Sequence, residues 1–209
     1  PGVPALAALG RLDALERRLD ELRGLPPLED GLDRADAALL AAATELRAHG
    51  FEDEAAALVD RWLARGPAYS ADSVLAGPTR WTRIELLYEL GRWAEAERVL
   101  GEPPDDGRVA RRHRAMAGLL AARRGDTAAA RRVATDLAAV DAPFLFGEPT
   151  FWRARIAAAL GDADEAVTLL RQAFAEGQDA RAWHRLHVGL DFDGLRDSPA
   201  FQDLVRPRA

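Results

Sequence analysis

The sequence predicts an all-α protein built from repeated helix hairpins. Three observations carry that reading. Helix formers (Ala, Leu, Arg and Glu) dominate the composition. Apolar residues recur at spacings of three and four, as one face of a helix requires, and no run alternates cleanly over six residues as a strand would. Breakers fall at regular intervals: Gly24-Leu25-Pro26-Pro27, Gly50, Gly66-Pro67, Gly77-Pro78, Gly91, Gly101 to Gly107, Gly125, Pro143, Gly161 and Gly177. They leave room for helices of roughly 12 to 20 residues between short turns.

Composition removes several function classes. With 209 residues, 48% of them hydrophobic, the chain is too apolar to be disordered. It lacks any run of about 18 uninterrupted apolar residues, which speaks against membrane insertion. Zero cysteines exclude a disulfide scaffold, an iron–sulfur cluster, a thiolate zinc site and a cysteine nucleophile. All 28 basic residues are Arg, and Asn is also missing. GC-rich coding accounts for that bias, yet it also removes a Schiff-base lysine, a phosphate-loop lysine and an asparagine amide. The chain opens on Pro1 with no charged-then-apolar leader, which reads as a piece of something longer. A cytoplasmic setting is the expectation.

The elements follow in order. Leu6, Leu9, Leu12, Leu15, Leu19 and Leu22 form an early stripe that needs a partner, either the next hairpin or a second copy of itself. A Gly followed five residues later by Ala then occurs four times: Gly50 to Ala55, Gly91 to Ala96, Gly125 to Ala130 and Gly161 to Ala166. The glycines lie 41, 34 and 36 residues apart, each with a helical pattern before and after it. Glycine can take the left-handed conformation that ends a helix, Ala lets two helices approach closely, and Asp or Glu just past the turn suits the N-terminal end of the next helix. Gly10, Arg11, Glu16, Arg17 and Leu19 fall in register with Gly91, Arg92, Glu97, Arg98 and Leu100. Residues 11–23 are therefore either the second helix of a partial repeat or an unrelated amphipathic helix. At the other end, Ser198 before Pro199 reads as an N-cap, with Phe201 and Leu204 folding back on the last repeat.

Residues 36–179 resemble the tetratricopeptide repeat, a 34-residue helix–turn–helix unit. The small mid-helix position of that pattern is Ala43, Gly118 or Ala154, with Ile84 departing from it. The later small position is Ala173 in the fourth repeat but Trp62 and Leu137 elsewhere, and the closing prolines are Pro67 and Pro143. The resemblance implies a right-handed α-solenoid of about nine to eleven helices in one domain: residues 1–35 as an N-terminal helix or partial repeat, 36–179 as four repeats, and 180–209 as a cap. The stretches 144–161 and 183–204 resemble tetratricopeptide arrays at the C-terminus of large bacterial signalling proteins. That implies an accessory module beside a kinase, cyclase or β-propeller region.

The same resemblance implies binding on a concave face lined by the first helix of each repeat. The inward positions are Leu40, Thr44 and Arg47; Trp81, Glu85 and Tyr88; Arg112, Leu119 and Arg123; and Phe151 and Arg155. The partner-binding candidates are Arg47, Trp81, Glu85, Tyr88, Arg112, Arg123, Phe151 and Arg155. For Trp81, Tyr88 and Phe151 the competing role is packing between repeats. Aromatic anchors beside arginines suit a protein or peptide bearing carboxylates, or another domain of the same polypeptide. The Lys/Asn carboxylate clamp of chaperone-binding members is excluded, because neither residue occurs.

Residues 108–132 carry eight arginines against Asp126 alone, +7 in a chain whose net charge is −6. This basic belt is either a solvated surface or a site for an acidic segment, and the acidic flanks disfavour nucleic acid. His184 and His187, with Asp191 and Asp193, have helical metal-ligand spacing, but the break at Gly189 argues against a metal site. His49 fits a helix end and His113 sits among arginines. No serine lies in a nucleophile elbow. The expectation is a non-catalytic interaction module without cofactor or metal. The alternatives are a regulatory small-ligand sensor using the Arg belt and a homodimer formed through the leucine stripe.

Overall fold

A computed structural model of the protein describes residues 2–26, 34–65, 76–104 and 107–206. Pro67, Ser70, Ser73 and the side chain of Arg108 lie outside the described residues. The described residues form helices joined by turns and loops and contain no strand. They form α1 (Val3–Ala8), α2 (Leu12–Arg23), α3 (Arg34–Ala48), α4 (Glu52–Ala64), α5 (Ala76–Glu89), α6 (Trp93–Leu100), α7 (Gly107–Arg123), α8 (Thr127–Ala138), α9 (Glu148–Leu160), α10 (Ala163–Ala175), α11 (Ala180–Val188), a 3-10 turn (Leu190–Leu195) and α12 (Pro199–Val205). The count exceeds the expected nine to eleven because the two ends break into short pieces: α1 has six residues, and the C-terminal cap is divided among α11, the 3-10 turn and α12. Residues 1–100 and 101–209 form two compact units.

One turn chemistry makes every hairpin. Gly50, Gly91, Gly125 and Gly161 have φ of +81°, +71°, +81° and +84°. The residue after each glycine donates its N–H six residues' span back: Phe51 to Leu46 O (2.9 Å), Arg92 to Leu87 O (2.8 Å), Asp126 to Ala121 O (2.9 Å) and Asp162 to Ala157 O (2.9 Å). Each glycine N–H closes the inner bond of the same motif, as in Gly50 to Arg47 O at 3.1 Å. Gly10 (φ +63°) repeats it, with Arg11 N–H on Leu6 O at 2.9 Å. This turn joins α1 and α2 in a short N-terminal hairpin.

In the first unit α1 and α2 pack on α3, and α3 packs on α4 and α5. Most of the leucine stripe is used there: Leu6, Leu15 and Leu19 are buried in one core with Leu39, Leu46, Leu58 and Trp62, Leu12 and Leu22 pack against it, and Leu9 stays exposed. Trp62 fits its nominally small position because its indole N–H finds Asp36 Oδ1 at 3.0 Å while Arg23 lies over its ring at 5.2 Å. Arginines lace neighbouring second helices: Arg61 to Glu16, Arg65 to Asp20 (2.6 Å) and Arg92 to Asp60. Arg92 also grips Glu95 with two bonds of 2.7 and 2.8 Å, which hold the Glu95 carboxyl below its ordinary range.

In the second unit α7 pairs with α8, α9 with α10, and α9 contacts both helices of the preceding hairpin. The C-terminal segment folds back as expected, with Phe192, Phe201 and Leu204 buried in one cluster with Phe151 and Leu170. The rings of Phe192 and Phe201 stack at 6.0 Å. Ser198 does precede α12, with Pro at its start, but its side chain makes no capping bond. Its carbonyl accepts from Gln202 N–H instead, at 2.9 Å.

Gly118 shows how closely these helices approach. A Cβ there would lie 2.7 Å from Val133 Cβ and 3.2 Å from Ile156 Cδ1. Gly118→Ala should gain roughly 1 kcal/mol of helix propensity but lose about 1–3 kcal/mol to overpacking against a stiff β-branched neighbour. A net fall in the urea unfolding midpoint is expected. A raised midpoint would contradict the close approach.

Candidate functional site

The inward positions of the first helices are largely occupied by the protein itself. In the first unit, Tyr88 on α5 is fully buried, Glu85 is buried, and Trp81 is half-buried. Arg47 on α3 faces the buried Glu89 of α5 at 3.8 Å, joining the first helices of two successive hairpins. Leu40 is half-buried, and Thr44 turns back on its own helix to Leu40 O at 2.8 Å.

In the second unit the inward face carries a buried ion cluster. Arg155 on α9 donates from Nε to Asp191 Oδ2 at 2.6 Å, with both side chains almost wholly removed from solvent. Arg123, in the last turn of α7, donates to Leu190 O at 3.0 Å and lies 3.9 Å from Asp191 Oδ1. Arg185 of α11 lies 3.9 Å from Asp191 Oδ2. The Arg155 guanidinium also lies 4.1 Å from the Trp152 ring centroid. Three arginines from three helices therefore converge on one carboxylate supplied by the 3-10 turn. Arg155 and Asp191 are buried as a hydrogen-bonded pair, while Arg123 and Arg185 approach the same carboxylate and keep part of their side chains in water, which lowers the cost of gathering so much charge.

Of the sequence-derived candidates, the fold brings Arg123 and Arg155 together and leaves Arg112 half-buried on α7. Phe151 packs on Phe192 at 6.2 Å, within the core. Tyr88 and Phe151 thus take the packing role that competed with partner contact. In the sequence Asp191 stands just past the break at Gly189. No local spacing marks it as a partner for arginines 36 and 68 residues upstream.

The basic belt is partly consumed by local pairing. Arg111 meets Glu148 at 3.3 Å and Arg131 meets Asp162 at 3.4 Å, while Arg114 and Arg132 point to solvent. His113 is buried, with Nε2 3.0 Å from Gly101 O. An open groove of about 850 Å³ lies between α8, α9 and the start of α10. Arg131 and Arg153 face Asp162, Asp164 and Glu165 across it, so its own carboxylates compete with an anionic ligand.

The comparisons with known proteins fit this geometry. Residues 77–102 and 147–172 each match the tetratricopeptide repeat family model. The matched segments coincide with the hairpins α5–α6 and α9–α10. The other two tetratricopeptide-like hairpins put Trp62 and Leu137 where the repeat pattern has a small residue. No curated protein and no solved structure matches the chain.

The ion cluster makes a direct prediction. Asp191→Ala strands buried guanidinium charge and should cost about 3–5 kcal/mol. This would be read as a lower urea midpoint with an unchanged slope. A loss below about 1 kcal/mol would show the cluster to be solvated.

Proposed function

We propose that the chain is a non-catalytic protein-interaction module, an accessory part of a larger bacterial signalling protein. Its first-helix faces would take an acidic segment of a partner or of another domain of the same polypeptide. Tetratricopeptide repeats generally mediate protein–protein interaction. The observation that carries the finer reading is Asp191: the inward face of the second unit holds a carboxylate with Arg155, Arg123 and Arg185. A face that satisfies an internal acid with a guanidinium array has the chemistry to recognise an external one.

The contact positions proposed are Arg47 and Trp81 in the first unit and Arg112 and Arg123 in the second, each still partly accessible to solvent. Glu85, Tyr88, Phe151 and Arg155 would set the shape beneath them rather than reach the partner. The leucine stripe, buried but for Leu9, and the mixed-charge groove lend no matching support to self-association or to anionic-ligand sensing.

Arg112 gives the cleanest test, because Arg123 also anchors the C-terminal segment. A fluorescent Asp/Glu-rich peptide carrying one Trp should bind saturably and weaken as salt rises. Arg112→Glu should weaken it tenfold or more, equivalent to about 1.4 kcal/mol. Arg114→Glu, two residues along α7 and therefore on another face, should stay within about twofold. Equal losses in both variants would mean net charge alone is being read.

A further inference from the structure

The segment joining α8 to α9 presents two aromatic rings to solvent. Phe144 is 84% exposed and Phe146 is 61% exposed. Both sit in left-handed backbone, at φ +60° and +46°, and among the described residues they are the only non-glycine positions with positive φ. That conformation crowds the Cβ of an L-residue, and a bulky side chain gains nothing from it locally. Such strain persists where the surroundings force it.

The surroundings here are identifiable. Gly147 follows at φ +74°, and a Cβ on it would lie 2.4 Å from Ala173 O, so the loop is pressed against the end of α10. Phe146 runs alongside Gly177, within 3.6–3.8 Å of where a Cβ would stand. Thr150 Oγ1 donates to Glu176 Oε2 at 2.6 Å, tying the start of α9 to the same place. The base of the loop is fixed and its two rings are turned outward, 6.4 Å apart and tilted by 41°. Three residues before Gly177, Phe174 stacks at 4.7 Å on the partly exposed Trp183.

The charge around these rings is mostly negative, with Arg111 brought to them by its ion pair with Glu148. Residues 136–150 and 172–180 contain Asp136, Asp141, Glu148, Glu176 and Asp179 and no Arg. Several of these acids are held in place: Glu148 by Arg111, Glu176 by Thr150 and Gln172, and Asp179 by the N–H of Ala182. An ordered aromatic pair in a negative field suits a ligand that is apolar and cationic together. Its apolar side chains would cover the rings while its Lys or Arg groups met the acids and the ring faces. Because the backbone that carries the rings is already held at its base, binding would cost little backbone ordering entropy.

We propose that the Phe144–Phe146 loop is a docking site for a basic amphipathic segment of a partner protein. It is distinct in position and in charge preference from the arginine-lined face, and neither reading depends on the other. An anionic lipid surface would be repelled by the same acids.

The test uses the full chain and a labelled Leu/Lys amphipathic helical peptide, with its Leu/Glu counterpart as control, followed by fluorescence anisotropy. The Leu/Lys peptide should bind and the Leu/Glu peptide should not. Phe144→Gly and Phe146→Gly should each weaken binding tenfold or more. Glycine adopts positive φ freely, so the melting temperature of both variants should hold or rise. Binding that survives both substitutions would overturn the proposal, because net charge would then explain it. A melting temperature lowered as by a core deletion would also overturn it, since the rings would be structural. Co-sedimentation with phosphatidylglycerol vesicles that depends on the two rings would overturn it in favour of a lipid surface.

Discussion

The six-residue hydrogen bond closed by the amide after each turn glycine is the constraint on which the hairpins depend. It forms only because the glycine takes a left-handed φ, and at Gly50, Gly91, Gly125 and Gly161 there is open space where a Cβ would go. The demand for glycine there is therefore a matter of backbone torsion and not of crowding. Once the chain reverses in this way, the register of the two helices is set. The residue five positions past each glycine then falls at the point of closest approach. Ala55, Ala96, Ala130 and Ala166 are all completely buried there. At the N-terminal hairpin the corresponding residue is Leu15, equally buried, beside a first helix of only six residues.

The second unit adds a constraint of another kind. Its inward face is closed by a segment that brings apolar bulk and a charge together: Phe192 and Phe201 into the core, and Asp191 beside Phe192 into the arginines. The guanidinium geometry matters. A planar fork can serve Asp191 while lying against Trp152, which a lysine ammonium would do less well in so little space.

What could be read from the sequence was whatever is written locally. The turn glycines, the buried alanines, the N-terminal turn and the fold-back of Phe201 and Leu204 all have signatures within a few residues. What depends on distant partners was not legible. Asp191 looks like any acid in a capping turn until the fold places it against Arg123 and Arg155. Tyr88 and Phe151 fall at positions that the repeat resemblance assigns to an inward face, but that pattern does not say that a neighbouring element covers them. Phe144 and Phe146 likewise carry no local sign of exposure in the sequence; the loop base held by Gly147 turns both rings to water.

The arginine pairs that lace the second helices have a consequence for how the protein can be perturbed. Arg61 with Glu16, Arg65 with Asp20, Arg92 with Asp60, Arg131 with Asp162 and Arg171 with Asp203 all pair a guanidinium with a carboxylate. With no lysine in the chain, side-chain acetylation or ubiquitin attachment has no amine to act on here. The lacing that joins one repeat to the next is thus insulated from the commonest enzymatic means of erasing a positive charge.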